Sequence, residues 1–515
     1  MLSKQHNSAV KRYALFSVNQ TENIAEFAKS VSALGWSIVA TDQPLKVLRD
    51  AGIDVMSVAE FVGVREEYGF PPTLHPKIEY ALTAKEPNER IELVYNITYS
   101  LDVGNDVGGH TLLALAVKGN RVPVSTYDDM NEVAAAIEKL GGIPAGLRDT
   151  LVEKASLKIS KHYGMLLSQN CGSLVFSRAY GLLNGENPYQ LPAELMSEDG
   201  CADSLALHKF QLLTDNKPCF TNMADLDCIV ETISKAAQAF ILNRGGMPFI
   251  TIAAKHGNAC GIGVDWDNPL TAIKKALWGN PLAVWGGEIA VNFKLDRTAC
   301  AMLYSSEERL KMCGSDKWML DVLAAPEIEM SGLNILTRQK NTKIFVNAAM
   351  LAPKIPVGKL VYRFVHGGAL RQAANNYVLD IKNAWRLQRP ITEEEIDSII
   401  IAWACAFTSF HGGNEIAIAS GRQLLCAGGG PSTVDAAETA VQRGCKYGKM
   451  LKGASFAADA FFPFTDAVEV LLKAGCTSGV APAGGINEKK VIDLLEKNGI
   501  GMIFLPKDFR GFCRH

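Results

Sequence analysis

The sequence predicts an α/β protein with more than one domain, and three observations lead to this prediction. Short apolar runs alternate with amphipathic stretches along the chain, which is the pattern of successive strands and helices. The 515 residues exceed what a single hydrophobic core usually supports. All twelve cysteines lie after residue 170, so the composition changes along the chain. We therefore expect two different α/β regions, residues 1–150 and 151–515.

The N-terminal region predicts strands and helices in regular alternation. The run YALFSV from Tyr13 predicts a first strand, and TENIAEFAKSVSALG a first helix. WSIVAT and PLKVLRDAG then predict a second pair, with Gly35 and Gly52 where the two helices should end. Further on, IELVYNITYS predicts another strand and NEVAAAIEKLGG another helix, with a glycine-rich turn and the apolar run LLALAVKG between them. Consecutive β-α units of this kind build a parallel sheet with helices on its faces.

The C-terminal region repeats the alternation on a larger scale. Its predicted strands are MPFITIAA, AVWGGEIAV, NEIAIAS, ASFAADAFFPF and GMIFL. Its predicted helices include NPLTAIKKALWG, TVDAAETAVQRG and NEKKVIDLLEKNG. No low-complexity linker separates the two regions, so no segment of distinctive composition marks the boundary near residue 150.

Charge and motif content exclude several classes of protein. The 52 basic and 54 acidic side chains leave a net charge of -2, which argues against general binding of nucleic acid or anionic membrane. No C-x-x-C or H-x-x-x-H pair predicts a zinc site, and G-x-S-x-G is absent. No apolar stretch resembles a signal peptide or a membrane span. We expect a cytoplasmic protein with reduced thiols, small-molecule partners and no metal.

The most informative motif is KHGNACG at residues 255–261, which follows an apolar run. Lys255 supplies a cation and His256 a group that titrates near neutrality, at the kind of strand end where ligands bind in open sheets. A catalytic pair is one interpretation. The other is an exposed strand end with a solvated lysine and a hydrogen-bonded histidine, which is the commoner case for these residue types.

Two further motifs leave similar alternatives open. Several glycine clusters, among them Gly286 with Gly287 and residues 428–430, are either turns or places where a ligand approaches the backbone. The second cluster precedes a predicted helix that begins near Ser432, where an anion could bind. The segment DAFFPF at 459–464 is either a corner of the core or a wall for a flat heterocycle.

In order, these motifs resemble one family over nearly the whole chain: the bifunctional purine-biosynthesis proteins that join AICAR formyltransferase to IMP cyclohydrolase. The N-terminal matches are YALFSV, TLHPKI, Asn96 and DVGG with Ala-Val-Lys118. The C-terminal matches are NPYQ, KHGNACG, AVWGGEIAVN, HGGALRQ, FAADAFFPF, APAGGI, Arg510 and the terminal Arg-His. The resemblance implies a methylglyoxal-synthase-like N-terminal domain. It also implies a formyltransferase region of two similar subdomains with a cytidine-deaminase-like fold.

The departures from this family are concentrated in the cyclohydrolase-like domain. The family's phosphate-binding Ser-Gly-Gly-Thr turn reads Thr-Asp-Gln-Pro at residues 41–44, which introduces an acid and removes an amide donor. Lysines of the family are also missing before Thr73 and after Val18. Contacts to a phosphate are worth about 1–3 kcal/mol each. We therefore expect that cyclohydrolase activity is lost or weak, although Asp106 and Lys118 remain as remnants of its site.

The resemblance assigns roles in the formyltransferase region. It implies that His256 is the base for the 5-amino group of AICAR, that Lys255 stabilises charge on the formyl oxygen, and that Asn414 orients the reactants. It further implies a set of substrate-binding residues: Asn187, Asn258, Gly286, Gly287, Asp321, Asp459, Phe461, Phe462 and Arg510. Two arginines that bind phosphate in the family are absent, because Leu183 and Thr433 stand in their places.

The function that the resemblance implies is formyl transfer from 10-formyltetrahydrofolate to AICAR, in a homodimer. The folate is a cosubstrate, and the chemistry requires no metal. Two alternatives stay open: a paralogue that binds nucleotide or folate without turnover, and a formyltransferase with another amine acceptor. Arg371, Lys446 or Lys449 could replace the missing phosphate contacts, or each could be a solvated surface charge.

Overall fold

The computed structural model describes residues 10–65, 72–101, 103–166, 174–198, 201–387 and 389–511. Cys171, Cys513 and the terminal Arg-His fall outside these residues. The chain divides into two compact units, Met1–Ser177 and Arg178–His515. The expected boundary after residue 150 falls inside a helix, Ala145–Met165, whose Leu151 and Ala155 are fully buried, so the units divide further along the chain.

The first unit contains a five-stranded sheet in the order β3-β2-β1-β4-β5, with all neighbouring strands parallel. Its strands are β1 Lys11–Ser17, β2 Ser37–Ala40, β3 Val55–Ser57, β4 Glu89–Asn96 and β5 Val122–Val124. Its helices are α1 Ile24–Ser32, α2 Asp42–Asp50, α3 Val58–Val62, α4 Pro76–Thr83, α5 Val107–Lys118, α6 Tyr127–Leu140 and α7 Ala145–Met165.

The predicted alternation of strands and helices in this unit is confirmed. Gly35 and Gly52 have φ of 76° and 72° just after α1 and α2, a conformation that glycine adopts without strain. The apolar run LLALAVKG lies in helix α5. Asp106 caps this helix by accepting a hydrogen bond from the Gly109 amide at 2.7 Å.

The chain from Phe176 onward contains most of the strands. They are β6 Phe176–Gly181, β7 Glu194–Glu198, β8 Gln211–Leu212, β9 Phe249–Lys255, β10 Asn258–Asp265, β11 Glu288–Val291, β12 Val322–Ala325, β13 Lys343–Val346, β14 Leu360–Val365, β15 Gly368–Ala373, β16 Trp385–Arg386, β17 Asn414–Ser420, β18 Gln423–Gly430, β19 Ser455–Ala458, β20 Ser478–Pro482 and β21 Gly501–Leu505. The α-helices are α8 Phe220–Arg244, α9 Pro269–Leu277, α10 Arg297–Tyr304, α11 Glu307–Cys313, α12 Met330–Leu336, α13 Glu393–Ala406, α14 Thr433–Lys446, α15 Asp466–Lys473 and α16 Glu488–Lys497, with 3-10 turns at Leu207–Lys209 and Ala348–Leu351.

Twelve of these strands form one mixed sheet, in the order β16-β21-β20-β19-β17-β18-β10-β9-β11-β12-β13-β8. The two halves repeat one pattern: a long helix, an antiparallel hairpin, a helix and then three strands that are parallel to one another. Helices α8 and α13 cover one face, while α9 with α10 and α14 to α16 cover the other. The predicted α/β class with a parallel N-terminal sheet is confirmed.

Strands β14 and β15 form a separate two-stranded sheet, closed by a turn at His366 and Gly367. Its apolar side chains are unusually exposed, with Phe364 at 76% and Leu370 at 62% of their full accessibility. A two-stranded hairpin with exposed apolar residues has little stability of its own, so this surface is a candidate for contact with another chain.

Candidate active site

Predicted site residues from several segments of the second unit lie at one edge of the twelve-stranded sheet. The hairpin β9–β10 turns at this edge, because Lys255 pairs with Asn258. Strand β11 begins beside it, since Glu288 pairs with both Ala254 and Val322. Asn414 at the start of β17 pairs with Gly430 at the end of β18, the strand next to β10. Four sequence-distant segments therefore meet where the central strands end.

His256 occupies the tight turn between β9 and β10. It has φ of 53° and Gly257 has φ of 71°, so both central residues are left-handed, as in type I′ hairpin turns. A non-glycine residue in this conformation is strained by roughly 1 kcal/mol, and such strain often marks functional positions. The side chain of His256 is exposed, so the turn presents the imidazole to solvent.

Lys255 reaches across to the glycines that precede β11. Its Nζ donates to the carbonyl of Trp285 at 3.1 Å and to that of Gly286. Gly286 has φ of 64°, and a Cβ built there would lie 2.9 Å from the lysine Nζ. The absence of a side chain at Gly286 is thus what lets the ammonium group sit at the sheet edge.

Asn258 connects the His256 turn to the loop before β17. Its Nδ2 donates to the carbonyl of His256 at 3.3 Å, and its Oδ1 accepts from the Phe410 amide at 2.8 Å. On the far side of that loop, the Nδ2 of Asn414 donates to the carbonyls of Gly430 and Pro431 at 3.3 and 3.1 Å. The predicted catalytic residues Lys255, His256 and Asn414 therefore lie at the same edge of the sheet, and the hydrogen bonds described join Asn414 to strand β18 rather than to the other two.

A second polar group lies behind Asn414. Glu415 is 2% exposed, and its Oε2 lies 2.7 Å from Nδ1 of His411. The Glu415 amide donates to Oδ1 of Asp459 at 2.9 Å. Burial raises the pKa of Asp459 to about 7, so this carboxyl titrates near neutrality.

The aromatic segment after β19 lies against the C-terminal end of the chain. The guanidinium of Arg510 stacks over the ring of Phe461 at 4.7 Å, and the Gly511 amide donates to the carbonyl of Asp459 at 2.8 Å. Phe462 is buried, with 3% exposed. Phe462 is therefore a core residue, while Phe461 and Arg510 line a surface next to Asp459, where the wall for a flat heterocycle stays a prediction.

An acidic pair below Lys255 is a feature that the sequence patterns did not predict. Glu288 is 2% exposed, and its Oε2 has no hydrogen-bond partner among the residues described. Burial, followed by repulsion from Asp225, raises the pKa of Glu288 to about 9. Burial also raises the pKa of Asp225, while Lys255 and His256 act against that rise. At neutral pH Glu288 is thus a neutral acid next to the ammonium group of Lys255.

This acidic pair predicts a pH-dependent stability. Glu288 titrates near 4.5 when unfolded and near 9 when folded, so the folded state holds the proton longer and loses stability as pH rises across this range. We expect Glu288→Gln to remove much of that loss and to stabilise the second unit at pH 8, by about 1–3 kcal/mol. Urea unfolding of both proteins between pH 5 and 9 measures the difference.

The exposed Glu327, which pairs with Lys294 at 3.0 Å, provides the control. Glu327→Gln should leave the pH dependence of stability unchanged, because a surface ion pair contributes little. An equal pH slope for the parent protein and for Glu288→Gln would contradict the assignment of a neutral Glu288.

Asn187 and three candidate cations are not joined to this edge by the hydrogen bonds described. Asn187 bonds to Gln190 within an exposed loop. Arg371 is exposed on strand β15, and the Nζ of Lys446 lies over the ring of Tyr447. Lys449 donates to the carbonyl of Trp278. None of these contacts indicates a ligand.

In the first unit, Asp106 and Lys118 lie at opposite ends of α5. The helix has 12 residues, so its ends are separated by about 18 Å. Asp106 caps the helix, whereas Lys118 is exposed and pairs with Glu79 at 3.4 Å. The structure therefore does not bring the two remnant residues together.

The segment that replaces the family's phosphate-binding turn forms the start of α2. Asp42 is its first residue and is exposed, and Pro44 is buried in its first turn. A helix N-terminus attracts anions through its free amides and its dipole. Here a carboxylate already occupies that position and one amide hydrogen is missing.

Within the described parts of the chain, no group of three His, Cys, Asp or Glu side chains is arranged to hold a metal ion. The ten cysteines described are all free thiols. No described helix combines the length and the apolar character needed to cross a membrane.

The fold defines an α/β protein, and comparison with known proteins identifies its family. The sequence model of the AICARFT/IMPCHase bienzyme matches residues 121–443, and the chain belongs to this family. It is 28% identical to the bifunctional purine biosynthesis protein PurH of Acetivibrio thermocellus, over 96% of this chain and 98% of that protein. It is also 28% identical to the bifunctional purine biosynthesis protein PurH of Aquifex aeolicus, over 95% of this chain and 98% of that protein. A solved structure described as "Crystal structure of ForH" matches 30% of this chain and 95% of its own, with 30% identity and a TM-score of 0.27.

Proposed function

We propose that this protein transfers the formyl group of 10-formyltetrahydrofolate to the 5-amino group of AICAR in the cytoplasm, and that it has lost most or all IMP cyclohydrolase activity. The observation that carries the proposal is that Lys255, His256 and Asn414 lie at the same ends of neighbouring strands of the sheet. Family membership supports purine biosynthesis as the setting.

The chemistry explains why such groups are needed. The carboxamide of AICAR withdraws the lone pair of the 5-amino group, which makes that nitrogen a poor nucleophile. A base that removes its proton as it attacks, and a cation that stabilises the oxyanion on the formyl carbon, each lower the barrier. In the proposal, the exposed imidazole of His256 is that base and the ammonium of Lys255 is that cation.

The surrounding residues provide a binding surface for two flat ligands. Asn414 would orient the amine and the formyl group, while Phe461 would border the folate, with the buried Asp459 and Phe462 behind it. Arg510 is the cation of the predicted set that lies next to Phe461, so it is the best candidate for holding the AICAR phosphate in the absence of the two missing arginines. The substrate is therefore held by fewer cations than the family pattern provides.

The test is direct turnover by the purified full chain. Incubation with AICAR and 10-formyltetrahydrofolate should release tetrahydrofolate, and His256→Ala should reduce that rate by about 10²-fold or more. His366→Ala is the matched control, because His366 also lies in an exposed hairpin turn.

Two outcomes would favour the alternatives. Binding of AICAR or folate without turnover would indicate a non-catalytic paralogue. Leu183 and Thr433, which stand where the family has phosphate-binding arginines, favour this alternative. Turnover only with another amine would indicate a changed acceptor.

We also propose that the protein is a homodimer and that the β14–β15 hairpin contributes to the contact. Phe364→Asp places a charge on the most exposed aromatic residue of the hairpin and should halve the mass measured by light scattering. Arg371→Ala, on the neighbouring strand, should leave the mass unchanged. A parent protein that is monomeric at micromolar concentration would contradict this proposal.

A further inference from the structure

His411 and Glu415 form a hydrogen-bonded dyad that the predicted mechanism does not use. The Glu415 Oε2 lies 2.7 Å from His411 Nδ1, and its Oε1 accepts from the backbone amides of His411 and Gly412. The Glu415 side chain is 3% exposed, so this carboxylate is held in place. It requires a proton on Nδ1 and so fixes the orientation of the ring.

The remaining ring nitrogen of His411 is available. Nε2 has no hydrogen-bond partner among residues 10–65, 72–101, 103–166, 174–198, 201–387 and 389–511, and the side chain is 18% exposed. A structural histidine in such a position normally uses both nitrogens. An oriented imidazole with one free nitrogen at a solvent-accessible edge is the arrangement that proton transfer requires.

The dyad lies among the predicted site segments. The amide of Phe410, the preceding residue, donates to Asn258, whose own amide group donates to the carbonyl of His256. On the other side, a Cβ built on Gly429 would lie 2.7 Å from the Cβ of His411, so His411 packs against the end of strand β18. Asn414 follows three residues later. His411 thus stands between the His256 turn and the predicted orienting asparagine.

We propose that His411 is the general acid of the formyl transfer, and that Glu415 positions it and stabilises its protonated form. This inference rests on the proposed function. Formyl transfer needs two proton movements: one from the attacking amine and one onto N10 of the folate. A single exposed imidazole at His256 accounts for the first.

Formyl transfer proceeds in two stages, addition of the amine to the formyl group and release of the folate. The amine nitrogen forms a bond to the formyl carbon, the carbonyl electron pair moves to oxygen, and His256 takes the amine proton. The oxyanion then re-forms the carbonyl, the bond from carbon to N10 breaks, and His411 delivers its Nε2 proton to N10. The products are the formylated amine and tetrahydrofolate, and both imidazoles return to their starting states by proton exchange with water.

The first experiment measures kcat of the full-length protein as a function of pH. We expect His411→Ala to lower kcat by about 10²-fold and to remove the decline of activity at alkaline pH, because the acid must be protonated. His256→Ala should instead remove the decline at acidic pH, because the base must be neutral. Glu415→Gln should lower kcat by about 10-fold and leave KM nearly unchanged.

Other titratable groups face the dyad and must be separated from it. Asp459 contacts the Glu415 amide, and burial raises its pKa to about 7. Cys405 of α13 also lies near Glu415, and burial raises its thiol pKa to about 12. Asp459→Asn should keep the alkaline decline, which distinguishes its titration from that of His411.

The second experiment distinguishes proton transfer from a structural role. Added imidazole should restore part of the rate of His411→Ala, whereas it cannot repair a displaced loop. If His411→Ala fails to fold, His411→Gln is the variant that tests the proposal. Its amide can still form a hydrogen bond with Glu415 but cannot transfer a proton, so we expect His411→Gln to be inactive.

The two proposals fail differently. An active parent protein whose His411→Gln variant keeps full activity would overturn the general-acid assignment and leave the proposed function intact. A parent protein with no turnover would overturn both.

Discussion

Gly286→Ala should reduce the rate of formyl transfer by about 10²-fold while the protein stays folded. A methyl group at this position would lie 2.9 Å from Nζ of Lys255, so the ammonium must move away from the sheet edge. Displacement of a catalytic group by about 1 Å can cost roughly 10²-fold in rate. We expect Lys255→Met to cost about 10³-fold, since it removes the cation altogether. The measurement is kcat for tetrahydrofolate release.

Gly314→Ala is the matched control for Gly286→Ala. Gly314 has φ of 75°, close to the 64° of Gly286, but a Cβ there meets nothing within 4 Å. Both substitutions therefore carry a similar backbone strain of about 1 kcal/mol. If the two variants lost the same activity, strain rather than displacement of Lys255 would be the cause, and the role assigned to Gly286 would be wrong.

Several parts of the site could be predicted because each lies in a continuous motif. The run KHGNACG contains the strand end, the turn and Asn258, so local sequence was enough to predict them. For the two glycines before Glu288, the sequence predicts either a turn or an approach point for a ligand. In the structure, the group that approaches Gly286 is the side chain of Lys255.

The acids of the site could not be predicted by the same reasoning. Glu288 and Glu415 each stand at the start of a buried strand, within GGEIAV and GNEIAIA, and the apolar residues around them dominate the pattern. Their partners are not visible in sequence spacing, because Asp225 lies on α8 and Asp459 follows β19. The available signal was an acidic residue at the start of an apolar run, one or two positions after a glycine. A buried carboxylate requires a partner, so such a residue indicates a polar site at the strand end.

In the first unit, residues that match the family motifs are present but do not lie at a common site. Asp106 and Lys118 match the family pattern in sequence, yet they lie at opposite ends of α5 and bond to different neighbours. The match of Asp106 and Lys118 to the family pattern therefore does not show that the two side chains act at one site. The start of α2 is more informative about activity, because residues 41–44 differ from the family's phosphate-binding turn and change the charge at one helix N-terminus.

We expect the protein to give no acceleration of ring closure when it is incubated with 5-formyl-AICAR, with IMP formation followed by chromatography. Asp42 places a negative charge at the first residue of α2, and Pro44 supplies no amide hydrogen in the same turn. Each lost phosphate contact costs about 1–3 kcal/mol, so two of them together weaken binding of a nucleotide monophosphate by about 10²-fold or more. Production of IMP at a rate comparable to formyl transfer would refute this expectation.

The electrostatic cause can be tested separately, by titrating the full chain with IMP and following the first unit by NMR. Replacing residues 41–44 with Ser-Gly-Gly-Thr removes the carboxylate and restores the amide, so it should strengthen IMP binding by about 10-fold or more. Asp50→Asn is the matched control, because Asp50 is an exposed acid at the other end of the same helix. Its loss changes the net charge by the same amount but leaves the amides of the first turn as they are. Equal effects of the two changes would mean that overall charge, and not the local helix terminus, limits phosphate binding in this unit.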